Sequence, residues 1–148
     1  MVRLTSIYEQ QGVAKLEAIQ DLWNMLSERT PVQSISHKAM PEYHQHVAFV
    51  NSQPYAVWYL ILAHHRREFG ADLEQRVVGN MYLTHQREVG IHIMNAHRGS
   101  GYGAQALQML RARHPGRLLA NINPQNQPSI DFFTRHGGRP LQITLELP

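Results

Sequence analysis

The stretch EVGIHIMNAHRGSGYGAQALQML, residues 88–110, decides the fold. At its start, branched apolar residues alternate with Glu88, Gly90 and His92, which predicts a strand over 88–95 with Glu88 and His92 on the same side of the sheet. At its end, apolar residues recur at helical spacing, and the helix predicted over 104–114 stops at a Pro-Gly pair. The sequence therefore predicts a strand, a glycine-rich loop and a helix in direct succession.

The loop RGSGYG at residues 98–103 has the composition of a phosphate-binding turn. Glycine lets backbone N–H groups approach a phosphate with no side chain between them. A helix that begins there adds about half a positive charge at its N-terminus, and Arg98 adds a full charge beside it. The loop therefore predicts binding of a diphosphate-bearing coenzyme.

Two well-known nucleotide-binding motifs do not fit this loop. The phosphate loop of nucleoside triphosphatases ends in Gly-Lys-Ser/Thr, whereas here Ala104 and Gln105 follow the last glycine. The dinucleotide fingerprint is matched in spelling by Gly99, Gly101 and Ala104, but it needs an acidic residue roughly 20 positions later. The strand predicted at that distance, within 117–123, contains no acid.

The segments around the loop extend the alternation of helices and strands. Helical periodicity predicts a first helix over 13–28, with Leu16, Ile19, Trp23 and Leu26 on its buried face, and a second helix from Pro41. The remaining predicted elements are strands over 55–63, 77–84, 117–123 and 141–147, and a helix over 126–136.

Composition limits the class of protein. A chain of 148 residues, with 43% hydrophobic and 17% charged residues, is expected to form a single domain over 1–148. We expect a cytoplasmic location with no membrane partner, because the chain lacks Cys, a signal-peptide pattern and an apolar run of membrane-spanning length. The net charge of +3 comes from scattered Arg residues, so we expect no nucleic-acid partner. His44 and His46 diverge on a helix, so we expect no metal.

Two separated motifs carry a resemblance to a known family. Residues 98–103 fit Arg/Gln-x-x-Gly-x-Gly/Ala at every position, and residues 126–138, NQPSIDFFTRHGG, look like Asn-x-x-Ser/Ala-x-x-Phe-Tyr-x-x-x-Gly-Phe. With these motifs the chain resembles the GNAT superfamily of N-acetyltransferases. The resemblance implies an α/β (α+β) fold with a mixed, mostly antiparallel sheet flanked by helices, in the order β-α-α-β-β-β-α-β-α-β. It also implies a transferase that uses acetyl-coenzyme A (acetyl-CoA) as cosubstrate.

The resemblance also implies which residues hold the coenzyme. The strand before the loop would pair with the pantetheine arm through the backbone of Ile93 and Asn95, and an N–H near Ile93 would stabilise the oxyanion. Asn121 and Asn126 would position the arm from the other side. The implied coenzyme-binding set is Ile93, Asn95, Arg98, Gly99, Ser100, Gly101, Tyr102, Gly103, Ala104, Asn121, Asn126, Ser129 and Phe133.

Two positions depart from the family pattern. Phe133 stands where many members have a Tyr that protonates the leaving thiolate, so Tyr102, Tyr82 or water would replace it, or the thiolate would leave unprotonated. Asn121 stands where some members have a Glu base. Glu88 and His92 are then the candidate catalytic bases, although they lie roughly 13 Å apart along the strand.

The expected acceptor is the primary amine of a small molecule, with an amino sugar or a sugar nucleotide preferred. The polar segment 29–40 is expected to shape its pocket, and Arg29, His37 and Tyr82 are the candidate substrate-binding residues. Three alternatives stay open: a coenzyme A-binding module without turnover, an acetyltransferase for protein N-termini or side chains, and a small interaction protein that pairs through 141–147. A homodimer also stays open.

Overall fold

The computed structural model describes residues 1–35, 39–66 and 73–148. Its sheet has four antiparallel strands, and each strand pairs with the next strand in the chain. The central pair is the longest, and its register shifts at Ile61/Leu62. The strands are β1 (Val2–Ser6), β2 (Val57–Arg66), β3 (Leu73–Leu83) and β4 (Val89–Ile93).

Within the described residues, four α-helices cover the two faces of the sheet and divide the core in two. One core cluster joins the sheet to the first two helices, and the other joins it to the last two. Apolar side chains that alternate along the strands supply both clusters. The helices are α1 (Gly12–Ser27), α2 (Tyr43–Asn51), α3 (Tyr102–Arg113) and α4 (Gln127–Arg135), with short 3-10 turns at Pro31–Gln33 and Asn95–His97.

The first two helices pack through aromatic and polar contacts. The Trp23 ring meets the Tyr43 ring edge to face at 5.0 Å. His46 is buried, and its Nε2 lies 3.0 Å from the Ile19 carbonyl oxygen, which accepts the imidazole N–H. His44 is exposed, so these two histidines do point apart, as their spacing indicates.

The buried face of α1 differs from the predicted one. Leu16 was predicted to be buried but is 65% exposed, whereas Ile19, Leu22 and Met25 are at most 3% exposed. Two apolar stripes run along this helix at compatible spacing, and periodicity cannot distinguish them. Contact with α2 and the sheet selects the stripe that includes Leu22.

The mixed α/β class, the predicted succession of elements through α3 and the last helix α4 are confirmed, but two predicted strands are wrong, one between α3 and α4 and one after α4. Residues 117–123 form a single parallel bridge, between Leu119 and Glu88, and residues 141–147 form no strand. Alternating sequence makes a strand only when a neighbour supplies hydrogen bonds, and none of the described residues pairs with 141–147. Its four apolar side chains are 59% to 87% exposed. None of the described helices is long and apolar enough to cross a membrane.

Leu22→Ala should lower the free energy of unfolding by about 2–5 kcal/mol, because it leaves a cavity in the core beneath α1. Leu16→Ala is the matched control on the same helix and should change it by less than about 0.5 kcal/mol. Urea denaturation monitored by circular dichroism measures both. Equal losses in the two variants would contradict the observed orientation of α1.

Candidate active site

Strand β4 is hydrogen-bonded to β3 along one edge, and its other edge is largely open. The Met94 N–H donates to the Val78 carbonyl of β3, whereas the Val89 N–H donates to Leu119 on the opposite side. Because successive N–H groups of a strand alternate in direction, the N–H groups of Ile91 and Ile93 also point away from β3. These two donors line the open edge.

The segment after α3 separates from β4 just beyond the bridge at Leu119. The Asn121 side-chain amide donates to the Glu88 carboxylate, so these two predicted site residues do meet. The Asn123 amide donates to the Ser34 carbonyl oxygen at 3.2 Å, which ties this segment to the loop after α1. The structure therefore has a gap beside the end of β4, where the resemblance implied that a pantetheine arm would pair with Ile93 and Asn95.

The face of β4 that is turned toward α1 bears His92, and a tyrosine ring from β3 lies over this face. Tyr82 is the register partner of Gly90, and Asn80 is the register partner of His92. A side chain at Gly90 would overlap the Tyr82 ring, so this ring lies over β4 in the space that glycine leaves. Its hydroxyl lies over Gly90, between the positions of Glu88 and His92 along the strand.

A carboxylate from α1 completes this face. Glu28 Oε2 lies 3.3 Å from His92 Nε2 and accepts the Asn95 N–H at 3.1 Å. The exposed fraction of the His92 side chain is 10%, and that of Glu28 is 25%. Burial lowers the pKa of His92 below its usual range, the hydrogen bond to Glu28 offsets part of this, and the charge of Arg29 lowers the pKa further. The lowered pKa favours the neutral form of the His92 imidazole.

Aromatic side chains hold Tyr82 in place. Its ring stacks on the Tyr55 ring at 3.9 Å with nearly parallel planes. Burial, followed by the neighbouring Tyr82, raises the pKa of Tyr55, so its hydroxyl stays protonated. Trp58 Nε1 donates to Asn80 Oδ1 at 3.0 Å. The result is an aromatic wall of packed rings on the face of β4 that bears His92.

The glycine-rich loop adopts backbone conformations that suit glycine. Gly99 and Gly101 have φ angles of +80° and +77°, and no heavy atom lies within 4 Å of where a Cβ would stand at either position. The first N–H groups of α3 have no partner within the helix. Arg98 Nε donates to the Ile93 carbonyl oxygen at 3.1 Å. Open space, free donors and a cation fit a diphosphate.

The start of α3 packs tightly on α4. A Cβ at Gly103 would lie 3.3 Å from the Phe132 ring, so a larger residue there would push the two helices apart. Phe133 is half-buried and packs against the core cluster that joins the sheet to α3 and α4. The Tyr102 hydroxyl is 3.5 Å from His65 Nε2, on β2. A surface pocket of about 390 Å³ adjoins this turn and is lined by Ala104, Gln105, Gln108, Arg111 and His136.

Other predicted site residues lie elsewhere or have other partners. The Asn126 side chain caps α4 by accepting the Ser129 N–H at 3.4 Å. Ser100 is exposed in the loop. Arg29 is exposed and donates to the Gln33 carbonyl oxygen. His37 lies outside the described residues. Among residues 1–35, 39–66 and 73–148, no group of His, Asp or Glu side chains is placed to hold a metal ion.

Sequence reasoning missed Glu28 and Tyr55. Glu28 lies 64 positions before His92, and no motif links them. Tyr55 precedes a strand rich in aromatic residues and was indistinguishable from core residues. The packing of α1 against the sheet brings Glu28 to His92.

Residues 19–138 match the model of the acetyltransferase (GNAT) family. No curated protein matches the chain in sequence. Several solved structures share the fold, and each covers 93% of this chain. An N-acetyltransferase from Staphylococcus aureus Mu50 has a TM-score of 0.58 with 14% identity, and 81% of it is covered.

Two further structures show the same likeness. The structure of yncA from Salmonella typhimurium, which contains its cofactor acetyl-CoA, has a TM-score of 0.56 with 16% identity over 78% of that chain. A variant of the spermidine N-acetyltransferase SpeG from Vibrio cholerae has a TM-score of 0.60 with 10% identity over 77% of that chain.

Gly90→Ala should lower the free energy of unfolding by about 1–3 kcal/mol, because the added methyl overlaps a Tyr82 ring that Tyr55 holds in place. The cost should largely vanish in a Tyr82→Ala background and persist in a Tyr82→Phe background, which keeps the ring. Urea denaturation of the single and double variants measures this coupling. Additive effects in the Tyr82→Ala background would show that the ring does not lie over Gly90.

Proposed function

The chain belongs to the GNAT family of acetyltransferases, and we propose that it transfers the acetyl group of acetyl-CoA to the primary amine of a small molecule. The observation that carries this proposal is the arrangement at β4. Its open edge bears the free N–H groups of Ile91 and Ile93 and continues into the glycine-rich loop. The face of β4 that is turned toward α1 bears His92. The acetyl donor, bound at the open edge, and the amine acceptor, bound on this face, would therefore meet at β4.

The loop and the start of α3 would hold the coenzyme. The exposed backbone of Gly99, Ser100 and Gly101 leaves room for phosphates, and the N-terminus of α3 favours their negative charge. The Ile93 backbone faces the open edge, where a pantetheine arm would pair. The Asn95 N–H is bonded to Glu28, so Ile93 is the better supported of the two predicted pairing positions.

When bound, acetyl-CoA supplies an acetyl thioester as the electrophile. The Ile93 N–H would stabilise negative charge on the carbonyl oxygen as the amine attacks. The C–N bond forms, the C–S bond breaks, and His92 takes the proton that leaves the nitrogen. Phe133 cannot protonate the sulfur, but a thiol pKa near 8.5 lets the thiolate leave and take a proton from water.

His92 is the better supported of the two predicted bases. Its side chain is nearly buried on the face of β4 that the Tyr82 ring covers, and burial lowers its pKa, whereas Glu88 is engaged by the Asn121 amide. Glu88 would position Asn121 at the gap. Tyr82 would form a wall of the acceptor pocket. Arg29 lies near enough for its charge to lower the pKa of His92.

The preferred acceptor remains an amino sugar or a sugar nucleotide, and the likeness to a spermidine N-acetyltransferase adds polyamines to the compounds worth testing.

Phe133 and Asn121 favour one competing function, a coenzyme A-binding module without turnover. Under the main proposal the whole chain acts as one acyltransferase domain. A homodimer is the arrangement that would cover the exposed apolar side chains of 141–147.

Acetyl-CoA should bind the wild-type protein, and Gly101→Ala should weaken binding at least about tenfold, because a side chain there strains the loop and occupies the phosphate space. Gly12→Ala is the matched control, since Gly12 also has a positive φ and open space at a helix start. Isothermal titration calorimetry measures both affinities. Absence of wild-type binding at near-millimolar coenzyme would refute the coenzyme site.

With an accepted amine, His92→Gln should lower kcat about 10²- to 10⁴-fold, as expected for loss of a general base. The wild-type kcat/KM should fall as pH decreases, with a midpoint below 6.5, because burial lowers the pKa of His92. A thiol-release assay over a panel of amino sugars and polyamines measures this, with Glu88→Gln for comparison. Thiol release that is insensitive to His92→Gln would exclude His92 as the base, and coenzyme binding without thiol release would favour the module without turnover.

A further inference from the structure

Glu28 makes the contact that the proposed reaction leaves unexplained. It follows α1, 64 positions before His92 and 67 before Asn95, yet one of its oxygens contacts both. The His92 side chain is nearly buried, so this contact lies inside the fold. Contact with the Glu28 carboxylate affects both the tautomer and the pKa of His92.

The contact selects one tautomer of His92. An ionised carboxylate only accepts hydrogen bonds, so Nε2 of the imidazole must carry its hydrogen toward Glu28. In the neutral ring the lone pair then resides on Nδ1. The same Glu28 oxygen accepts the Asn95 N–H, which begins the turn into the glycine-rich loop.

We propose that Glu28 is a positioning residue for acetyl transfer, which fixes the His92 imidazole with Nδ1 as its basic nitrogen and joins it to the turn that precedes the coenzyme loop. This inference rests on the proposed function. Glu28 touches neither donor nor acceptor in this role. It acts through His92, as a carboxylate that orients an imidazole does in hydrolytic triads.

The charged groups around His92 determine the direction in which its pKa changes when Glu28 is replaced. Glu28, at the C-terminal end of α1, raises its pKa, and Arg29 and Arg98 lower it, while burial is the largest cause of the overall decrease. The Tyr82 hydroxyl lies on the same face of the sheet. Glu28→Gln removes the negative charge and leaves both arginines, so the pKa of His92 should fall further.

Proton NMR titration tests this without requiring turnover. The chain has ten His, and the His92 ring signal is identified by its loss in His92→Gln. Its titration midpoint should move to lower pH in Glu28→Gln and return part of the way in Glu28→Asp, which keeps a carboxylate on a shorter chain. Glu17→Gln, at an exposed site on α1, should leave it unchanged. An unchanged midpoint in Glu28→Gln would overturn the proposal.

Kinetics with an accepted amine provide the second measurement. Glu28→Gln should lower kcat by at least about tenfold, a part of what a general base contributes, and should move the acid limb of kcat/KM to lower pH. A loss of kcat with an unmoved limb would show a merely structural role and overturn the inference. Failure of the wild-type protein to transfer acetyl to any amine would instead refute the proposed function, and the NMR midpoint would still report on the Glu28 contact.

Discussion

The hydrogen bonding of β4 on one side only is the constraint on which the proposed site depends. Pairing with β3 satisfies every second N–H of β4 and directs the others outward. On that outer side a single bridge holds Leu119, after which the chain separates. If the outer edge of β4 were fully paired, no N–H groups would be left to bind a thioester. If this edge had no partner at all, the start of β4 would lose the bridge to Leu119.

The two faces of the same strand have different tasks. Ile91 and Ile93 pack with the core beneath α3 and α4, which anchors the strand next to the glycine-rich loop. Gly90 and His92 face the other way, toward α1 and the aromatic wall. Because side chains alternate across a sheet, the glycine-rich loop and the candidate base can be adjacent in sequence without competing for space. Glu28 then connects the two through His92 and Asn95.

The departures from the family pattern acquire a physical context in the structure. Asn121 replaces a carboxylate of some relatives, and its amide is bonded to the carboxylate of Glu88 across the gap. Phe133 replaces a tyrosine and contributes apolar surface to the core. The polar chemistry of the site is thus concentrated on the α1 side of β4, where His92, Glu28 and Tyr82 lie.

The sequence by itself determined the class of fold, the order of elements through α3, the helix α4 and the conformation of the glycine-rich loop. Local rules govern these features: alternation makes β4, helical spacing makes α3, and glycines permit the positive φ angles of Gly99 and Gly101. Such rules act within a few residues, so they can be read along the chain.

Tertiary structure alone decided the rest. It selected the buried stripe of α1, left 141–147 without a strand partner among the described residues, and brought Glu28 to His92. Each of these outcomes depends on which surfaces meet after the chain has turned several times. Hydrogen bonds and burial between distant segments carry no periodic signal in sequence, so only packing could settle them.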